Sequence, residues 1–307
     1  MADQWLCGWR VASRFDVPEL LARVDDDGEP DLVIRVGRIF EHLVDGGRAE
    51  STLQITSQGA CVLAVSGVAV FLIDATSHEV TIDPSPGADP SNVRAVLLGT
   101  VLGILCHRRE LLPLHASCVE IDGVAVAFTG PSGIGKSTLA GAFAAAGHRV
   151  IADDVTVVDL IAANGPLVRP TFPRLKLRAD SLSHLQLERS SFPEGPFEMQ
   201  KYHMPIDRAF SRQPVRLAAV YHLGRPSAAN EKGGGVITGM ESLRAATDAV
   251  FRPVEARALR GAGAVFASVA RLGALVPSYA IVWPTGFSEL IADVERFRAR
   301  HTSMSHS

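Results

Sequence analysis

One glycine-rich motif between two apolar segments constrains the fold of this chain more than any other feature. Residues 130–138 read Gly-Pro-Ser-Gly-Ile-Gly-Lys-Ser-Thr, which matches the pattern GxxxxGK[ST]. The apolar residues 123–129 predict a strand before this loop, and residues 136–146 predict a helix after it. Because glycines let backbone N–H groups converge on phosphate oxygens at a helix N-terminus, the motif predicts a nucleotide phosphate site, or P-loop. An ordinary glycine-rich turn is the alternative.

The residues of the motif have separate predicted roles. Lys136 should place its ammonium group on the β- and γ-phosphates of the nucleotide, and the Ser137 hydroxyl should face a magnesium ion. The residues expected to contact the cofactor are Gly130, Ser132, Gly133, Ile134, Gly135, Lys136, Ser137 and Thr138.

Two adjacent acids, Asp153 and Asp154, follow a second apolar segment, residues 150–152. If this segment is a strand parallel to the strand before the P-loop, both carboxylates lie beside the metal. One acid could then hold Mg²⁺ while the other faces an acceptor hydroxyl. A solvated turn at a strand end is the alternative. Residues 155–160 should return as a hairpin partner of this strand.

Three further residues are candidates for catalysis. His115 precedes a predicted hairpin whose second strand leads into the P-loop, so it could lie near the phosphates. Arg174, which shares a predicted strand with Lys176, and Lys201 could neutralise the charge of a phosphoryl transition state. Packed or solvated side chains are the alternative for all of them.

Residues 1–92 should form a smaller, β-rich N-terminal domain. Short runs of Val, Ile, Leu and Thr, separated by turn residues such as those at 45–47, predict its strands. The predicted strands are residues 31–36, 51–56, 61–65, 69–73 and 80–82. Residues 83–92, which are rich in Pro, Gly and Asp, should mark the domain boundary.

Residues 93–300 should form the larger domain, and residues 301–307 a flexible tail. Predicted strands and helices alternate in this domain, which is typical of a sheet covered by helices. Further predicted helices are residues 93–108 and 286–300, and predicted polar loops are residues 189–200 and 228–235. The predicted fold class is therefore α/β (α+β), with a β-rich N-terminal domain beside the P-loop domain.

Composition limits the expected partners and location. The chain has 307 residues and a net charge of −3, so no basic field suggests nucleic acid. The longest apolar run, residues 96–106, is too short to cross a bilayer, and residues 1–10 show no signal peptide. The four cysteines form no CxxC pair. We expect a cytoplasmic protein that binds neither nucleic acid nor a membrane.

The order and spacing of these motifs resemble the catalytic domain of HPr kinase/phosphorylase. His115 stands fifteen positions before Gly130, Asp153 stands twenty-three positions after it, and residues 147–154 read Gly-His-Arg-Val-Ile-Ala-Asp-Asp. The resemblance implies an HPr-kinase-type P-loop domain that uses ATP and Mg²⁺ to phosphorylate serine. It implies that Asp153 is the general base, supported by His115.

The same resemblance implies that Lys136 holds the phosphates and that Ser137 and Asp154 serve the metal. Two departures concern the acceptor and the direction of the reaction. Thr138 stands where the family usually has an acid, and the family's Glu-x-Arg-Gly-Leu-Gly type segment is not recognisable. HPr as the substrate and the reverse, phosphorylase reaction therefore do not follow from the resemblance.

The whole pattern is more similar to HPr-kinase-related proteins of ribosomal peptide pathways, including kinases of lasso-peptide precursors. The segments that resemble them are residues 93–109, 112–117, 172–177 and 284–287. This similarity implies a peptide or protein substrate with an acceptor serine, often the C-terminal one. A kinase of HPr or of another protein, a small-molecule kinase and a nucleotide-responsive binding module are the alternatives. A homo-oligomer is compatible with each of them.

Overall fold

The computed structural model describes residues 2–22, 28–39, 51–185, 187, 188, 190, 201–225, 235–282 and 299. The chain divides into two compact units. The first unit is Met1–Glu110 with Arg252–Gly261, and the second is Leu111–Phe251 with Ala262–Ser307. The architecture is mixed α/β, in agreement with the predicted fold class.

The first unit is built on a mixed β-sheet, which contains both antiparallel and parallel strand pairs. Its strands are β1 (Ala2–Leu6), β2 (Trp9–Ser13), β3 (Leu21–Ala22), β4 (Leu32–Val36), β5 (Ser51–Ile55), β6 (Cys61–Val65), β7 (Ala69–Ile73) and β8 (Glu79–Pro84). Within the described residues, these strands follow the order β3-β1-β2-β4-β8-β7-β6-β5. Residues in β7 alternate between buried and half-buried positions, as expected for a strand with one face on the core. The five strands predicted in this region are present, and the predicted turn at residues 45–47 lies outside the described residues.

The predicted helix at residues 93–108 is present but interrupted. It consists of α1 (Pro90–Val96), a π-helical segment (Leu97–Val101) and α2 (Leu102–Arg108). The Asp89 side chain caps α1 by accepting a hydrogen bond from the Ser91 N–H at 2.8 Å, and Pro90 occupies the first turn.

These helices belong to the first unit, so the compact units divide the chain after residue 110, whereas the predicted boundary follows residue 92. Side chains at the end of α2 explain the difference. The Arg108 guanidinium donates to Gly59 O at 2.7 Å, and the Arg109 guanidinium lies 4.1 Å from the centre of the Trp9 ring. The first unit is completed by α6 (Pro253–Arg260), which packs on α2.

The second unit contains the P-loop. Its strands are β9 (Leu112–Leu114), β10 (Ala116–Ile121), β11 (Val124–Thr129), β12 (Arg149–Ala152), β13 (Thr156–Asp159), β14 (Leu167–Arg169), β15 (Arg174–Arg178), β16 (Lys201–Pro205), β17 (Val215–Gly224), β18 (Val236–Ile237) and β19 (Ser278–Val282). Its helices are α3 (Lys136–Ala145), α4 (Ala179–His184), α5 (Gly239–Asp248) and α7 (Ala262–Leu275).

Strand directions in the second unit place the candidate site. Among the described residues, the main sheet has the order β12-β10-β11-β17-β14-β13-β9, with β19 paired to β17 and β18 to β19, while β15 and β16 form a separate pair. Strand β10 is antiparallel to both β11 and β12, and β17 is parallel to β11. Strands β11, β12 and β17 therefore run in the same direction, and their carboxyl ends lie at one edge of the sheet.

The predicted hairpin of β10 and β11 is present, but residues 155–160 do not return along β12 as predicted. Strand β13 pairs instead with β9 and β14. Pairing of Thr156 with Leu114 brings the residue after β9, His115, next to the turn that follows β12.

Stacked aromatic rings connect α3 to the sheet. Phe128 on β11 lies 5.7 Å from Phe143 on α3 and 5.8 Å from Tyr221 on β17, measured between ring centres. Tyr221 in turn stacks on Tyr279 at 4.8 Å. Phe128, Phe143 and Tyr221 are fully buried, and each buried aromatic side chain stabilises the fold by about 1.5–3 kcal/mol. This cluster fixes the helix that follows the P-loop.

Several predictions fall on residues outside the described part. They are the helix at 286–300, the segment at 284–287, the tail at 301–307 and the loops at 189–200 and 228–235. Within these ranges, the structure describes only residues 190, 235 and 299. Within the described residues, none of the helices alone has the length and apolar character to span a membrane, while the consecutive helices α6 and α7 together pass that test of length and composition.

Candidate functional site

The P-loop joins the carboxyl end of β11 to the first residue of α3. Gly130, Gly133 and Gly135 have φ angles of 139°, 77° and 109°, which side chains other than glycine rarely adopt. A Cβ atom on Gly130 would also lie 2.5 Å from the Leu223 carbonyl oxygen. The glycines of the motif are therefore required by the backbone path itself. The N–H groups in the first turn of α3 lack partners within the helix and are available to an anion.

We expect Gly130→Ala to distort the P-loop. The strained φ angle and the clash with Leu223 O should lower the free energy of unfolding by at least about 1–3 kcal/mol and weaken nucleotide binding. The control is Gly263→Ala in α7, where an added Cβ meets nothing within 4 Å and should change stability by no more than about 1 kcal/mol. Urea unfolding of both variants measures the difference, and equal stabilities would contradict the expectation.

Lys136 lies over the loop that precedes it. Its ammonium group donates to Gly130 O at 2.8 Å and to Pro131 O at 3.2 Å, and the residue is only 7% exposed. Burial lowers the pKa of Lys136, while the nearby Asp153 and Asp154 favour its charged form. A buried cation held by two carbonyl oxygens can exchange them for phosphate oxygens, which are stronger acceptors.

Asp153 is held by three hydrogen-bond donors at the carboxyl end of β12. Its Oδ1 accepts from Ser117 Oγ at 2.6 Å and from Ser137 Oγ at 2.9 Å, and its Oδ2 accepts from the Lys176 backbone N–H at 2.8 Å. The residue is 2% exposed. Burial raises the pKa of Asp153, and the donors Ser117, Lys176 and Ser137 oppose this shift.

Asp154 has a different environment. It adopts a φ of 70°, and its carboxylate pairs with Lys176 Nζ at 2.7 Å and lies 3.4 Å from His115 Nδ1. Burial disfavours the charged carboxylate, but the attraction and hydrogen bond of Lys176, with the further attraction of Lys201, outweigh it and lower the pKa of Asp154 to about 2. The two neighbouring acids thus have pKa values displaced in opposite directions, an arrangement typical of acid and base pairs with separate roles.

His115 faces this pair from the end of β9. Its Nδ1 lies 3.2 Å from the Asp154 carbonyl oxygen, and its ring lies 6.3 Å from that of Phe251. Burial and the charge of Lys136 lower the pKa of His115, against the opposing effect of Asp154. The neutral imidazole is therefore favoured.

Lys201 and Arg174, the two cations predicted to contact the transition state, begin different strands and have different surroundings. Lys201 begins β16, and its charge is close enough to lower the pKa values of both Lys136 and Asp154. Arg174 begins β15, where its guanidinium lies 4.9 Å from the Phe172 ring centre and 3.4 Å from His203 Nδ1. Electrostatics thus connect Lys201 to the P-loop site, and Arg174 lies beside an aromatic ring and an imidazole.

The predicted site did not include two residues that the structure places there. Ser117 contacts Asp153 across the β10–β12 pairing, and Lys176 contacts both acids, through its N–H and its ammonium group. Lys176 carries one signal in the sequence, since it is one of only four lysines. The Thr138 hydroxyl lies 2.7 Å from Ser181 Oγ on α4, so the predicted contact of Thr138 with the cofactor would use its backbone N–H.

The oxygen donors at the site suit a magnesium ion shared with phosphates. Ser137 Oγ and the two carboxylates are hard oxygen ligands of the kind that Mg²⁺ prefers. Within the described part of the chain, no group of three or more His, Cys, Asp and Glu side chains could hold a metal alone. Mg²⁺ at nucleotide sites commonly has one or two carboxylates plus phosphates, so a smaller donor set is sufficient. The predicted metal pair was Ser137 and Asp154, whereas the hydroxyl of Ser137 contacts Asp153.

A histidine on the neighbouring strand supports the start of the P-loop. His222 on β17 pairs in register with Thr129, and its Nδ1 lies 2.7 Å from Thr129 Oγ1. Its Nε2 is buried and has no hydrogen-bond partner among the described residues. Burial lowers the pKa of His222 to about 4, although Asp248 favours the charged form.

The lowered pKa of His222 predicts that the folded protein loses stability in mild acid. Between pH 6.5 and 4 the unfolded chain binds a proton at this residue that the folded protein excludes, so the free energy of unfolding falls as the pH falls through that window. In His222→Asn the amide can keep the hydrogen bond to Thr129. Between pH 7 and 4.5 the free energy of unfolding of the wild type should fall by about 1–3 kcal/mol more than that of this variant. Urea unfolding at both pH values measures this, with the exposed His184→Asn as a control. If wild type and His222→Asn differ in free energy of unfolding by the same amount at both pH values, the assignment of this pH dependence to His222 is wrong.

The fold and the site define a P-loop phosphate-binding unit with an adjacent acid pair, and comparisons with known proteins agree with this class. Residues 109–169 match the family model "HPr Serine kinase C-terminal domain". This match contains His115, the P-loop and the acid pair.

Two curated relatives each share a short segment with this chain. One is "Putative HPr kinase/phosphorylase 2" of Oceanobacillus iheyensis, which is 40% identical over 53 residues, 16% of this chain and 17% of the relative. Another is "HPr kinase/phosphorylase" of Chloroherpeton thalassium, which is 40% identical over 70 residues, 21% of this chain and 20% of the relative. The matched segments thus span about a fifth or less of these relatives.

Among solved structures, the HPr(Ser) kinase/phosphatase from Coxiella burnetii aligns with 63% of this chain and 93% of its own, at 16% identity and a TM-score of 0.37. The family match therefore covers the segment around the P-loop, and the matches above do not include a kinase of lasso-peptide precursors.

Proposed function

We propose that this protein transfers the γ-phosphoryl group of ATP to a serine hydroxyl. One observation carries the proposal: Ser137 Oγ of the P-loop lies 2.9 Å from the carboxylate of Asp153. This hydrogen bond joins a phosphate-binding loop to a buried acid, and that combination is suited to a reaction at the terminal phosphate. The match of residues 109–169 to the C-terminal domain of HPr serine kinases supports the same chemistry.

Lys136 and the N–H groups at the start of α3 would bind and orient the phosphates. Ser137 and Asp154, with Asp153 close by, would hold Mg²⁺, which when bound neutralises charge on the β- and γ-phosphates. Asp154 is suited to this role because its low pKa keeps it ionised. Lys201 would add a second positive charge near the phosphates.

Asp153 would accept the proton of the serine hydroxyl as the serine oxygen attacks the γ-phosphorus, the bond from this phosphorus to the bridging oxygen breaks, and ADP leaves. A carboxylate with a raised pKa is a better proton acceptor than its neighbour with a pKa of about 2. The neutral His115 would keep Asp154 in place through its Nδ1, and Ser117 would orient Asp153. Arg174 and Lys201 remain the candidates for contact with the transferred group.

For the acceptor we propose a serine of a protein or peptide, including the C-terminal serine of a ribosomal (lasso) precursor peptide. The protein-serine class rests on the family match, and the peptide class rests on the sequence resemblance alone.

The test is incubation of the full chain with γ-labelled ATP and Mg²⁺ in the presence of candidate acceptors. The panel contains HPr, peptides ending in Ser and the same peptides ending in Ala. Label on a serine, located by phosphopeptide mass spectrometry, supports the proposal, and transfer that disappears with the Ala peptides identifies the acceptor. Tight ATP binding without transfer to any acceptor would indicate a nucleotide-responsive binding module instead.

A further inference from the structure

The second unit has a cleft of about 500 Å³ at the sheet edge opposite the P-loop. Its lining includes Gly123 just before β11, Arg149 at the start of β12 and Arg216 near the start of β17. The P-loop and the acid pair follow the carboxyl ends of β11 and β12, so the length of a strand separates the two sites. For the six residues of β11 this length is about 20 Å.

Arginine side chains dominate the charge of this cleft. Arg149, Arg208, Arg212 and Arg216 line it, and all four are exposed. Within the part of the chain that the structure describes, none of these side chains has an ion pair or hydrogen bond. They contrast with Arg10, which is paired with Asp3 at 2.8 Å.

The acids in the cleft do not balance the arginines. Glu120 and Asp207 are the carboxylates of the lining, so four positive and two negative charges leave a formal excess of 4 − 2 = +2 in a chain whose net charge is −3. Glu120 Oε2 is buried and has no hydrogen-bond partner among the described residues. The cleft therefore offers guanidinium donors for an anion and one buried acceptor for a hydroxyl or amine group.

We propose that this arginine cleft binds a phosphomonoester group. Such a group carries a charge of about −1.5 to −2 at pH 7, which matches the local excess, and has three acceptor oxygens. The planar forks of arginine bind phosphate oxygens in pairs, which lysine cannot do. The volume exceeds that of a single phosphate and lies in the range of small-molecule sites, so the ligand has a body beyond its phosphate. A phosphorylated peptide and a small phosphate ester share this chemistry.

Binding is measured by calorimetry on full-length protein carrying Lys136→Ala, which removes the competing anion site of the P-loop. The probes are O-phosphoserine, inorganic phosphate, a phosphoserine peptide and its unphosphorylated form. In this background, the further change of Arg208 and Arg212 to Ala should weaken phosphomonoester binding at least about tenfold. The further change Arg271→Ala, an exposed arginine on α7 outside the cleft, should leave the affinity unchanged.

The outcomes separate the sources of the ligand. Binding of the phosphoserine peptide without binding of O-phosphoserine assigns the cleft to phosphorylated peptides, and comparable binding of both assigns it to small phosphate esters. Circular dichroism of each variant verifies folding, and Arg216→Ala serves in place of the double change if that variant does not fold. The proposal is overturned if no phosphorylated probe binds at low salt, or if the cleft variants bind as tightly as their Lys136→Ala parent. Neither result affects the serine kinase proposal, because no phosphoryl transfer is measured.

Discussion

Lys136→Ala should weaken ATP binding at least about thirtyfold. The ammonium group of Lys136 is buried and donates to two carbonyl oxygens at the start of the P-loop. Removing a buried cation that pairs with a ligand charge costs about 2–5 kcal/mol of binding free energy, a loss of about thirty- to several-thousand-fold in affinity. Calorimetric titration with ATP and Mg²⁺ measures the dissociation constant directly.

The matched control removes a positive charge elsewhere in the same unit. Arg271 is exposed on α7, and Arg271→Ala should bind ATP as the wild type does. Wild-type affinity in Lys136→Ala would show that this loop does not hold the nucleotide. It would also remove the basis of the proposed reaction, because the other assignments depend on where the phosphates lie.

Asp153→Asn should abolish phosphoryl transfer while sparing most ATP binding. A positioned general base contributes about 10²–10⁴-fold to the rate, and the amide cannot accept the serine proton. The amide oxygen can still accept from Ser117 and Ser137, but its NH₂ group would face the Lys176 N–H, which now donates to Oδ2. We therefore also expect a loss of about 1–3 kcal/mol in stability.

Single-turnover transfer of label at saturating ATP measures the chemical step separately from binding. Asp154→Asn is the comparison, because it removes the neighbouring charge and leaves the proposed base in place. Its main effect should be a higher Mg²⁺ requirement, whereas excess Mg²⁺ should not restore Asp153→Asn. Transfer by Asp153→Asn at the wild-type rate would disprove its assignment as the base.

The P-loop could be predicted because its information is contiguous. A strand, the glycines and a helix follow each other between residues 124 and 145, and the φ angles of Gly130, Gly133 and Gly135 show why the pattern tolerates little change. The acid pair was predictable for a related reason. Parallel strands place their carboxyl ends at one edge, and β12 runs in the same direction as β11.

Contacts that depend on strand register could not be predicted. Ser117 approaches Asp153 only because β10 lies between β11 and β12, and the contact spans 36 positions of the chain. Likewise, His115 reaches Asp154 because β13 pairs with β9, contrary to the predicted hairpin with β12. Nothing in the local composition of these strands specifies their partners.

The end of the first unit could not be predicted from composition for a different reason. The turn-rich residues 83–92 resemble a linker, yet Asp89 and Pro90 within them begin a helix. The residues that attach this helical stretch, Arg108 and Arg109, stand at its far end. A boundary set by composition alone therefore differs from one set by packing.

Lys176 restrains both acids at once, since its main chain fixes one carboxylate and its side chain fixes the other. The short β15–β16 strand pair therefore positions two groups to which the proposal gives separate chemical tasks. Displacement of this pair would alter the proposed proton acceptor and the proposed metal-facing charge together, so neither could be adjusted without the other.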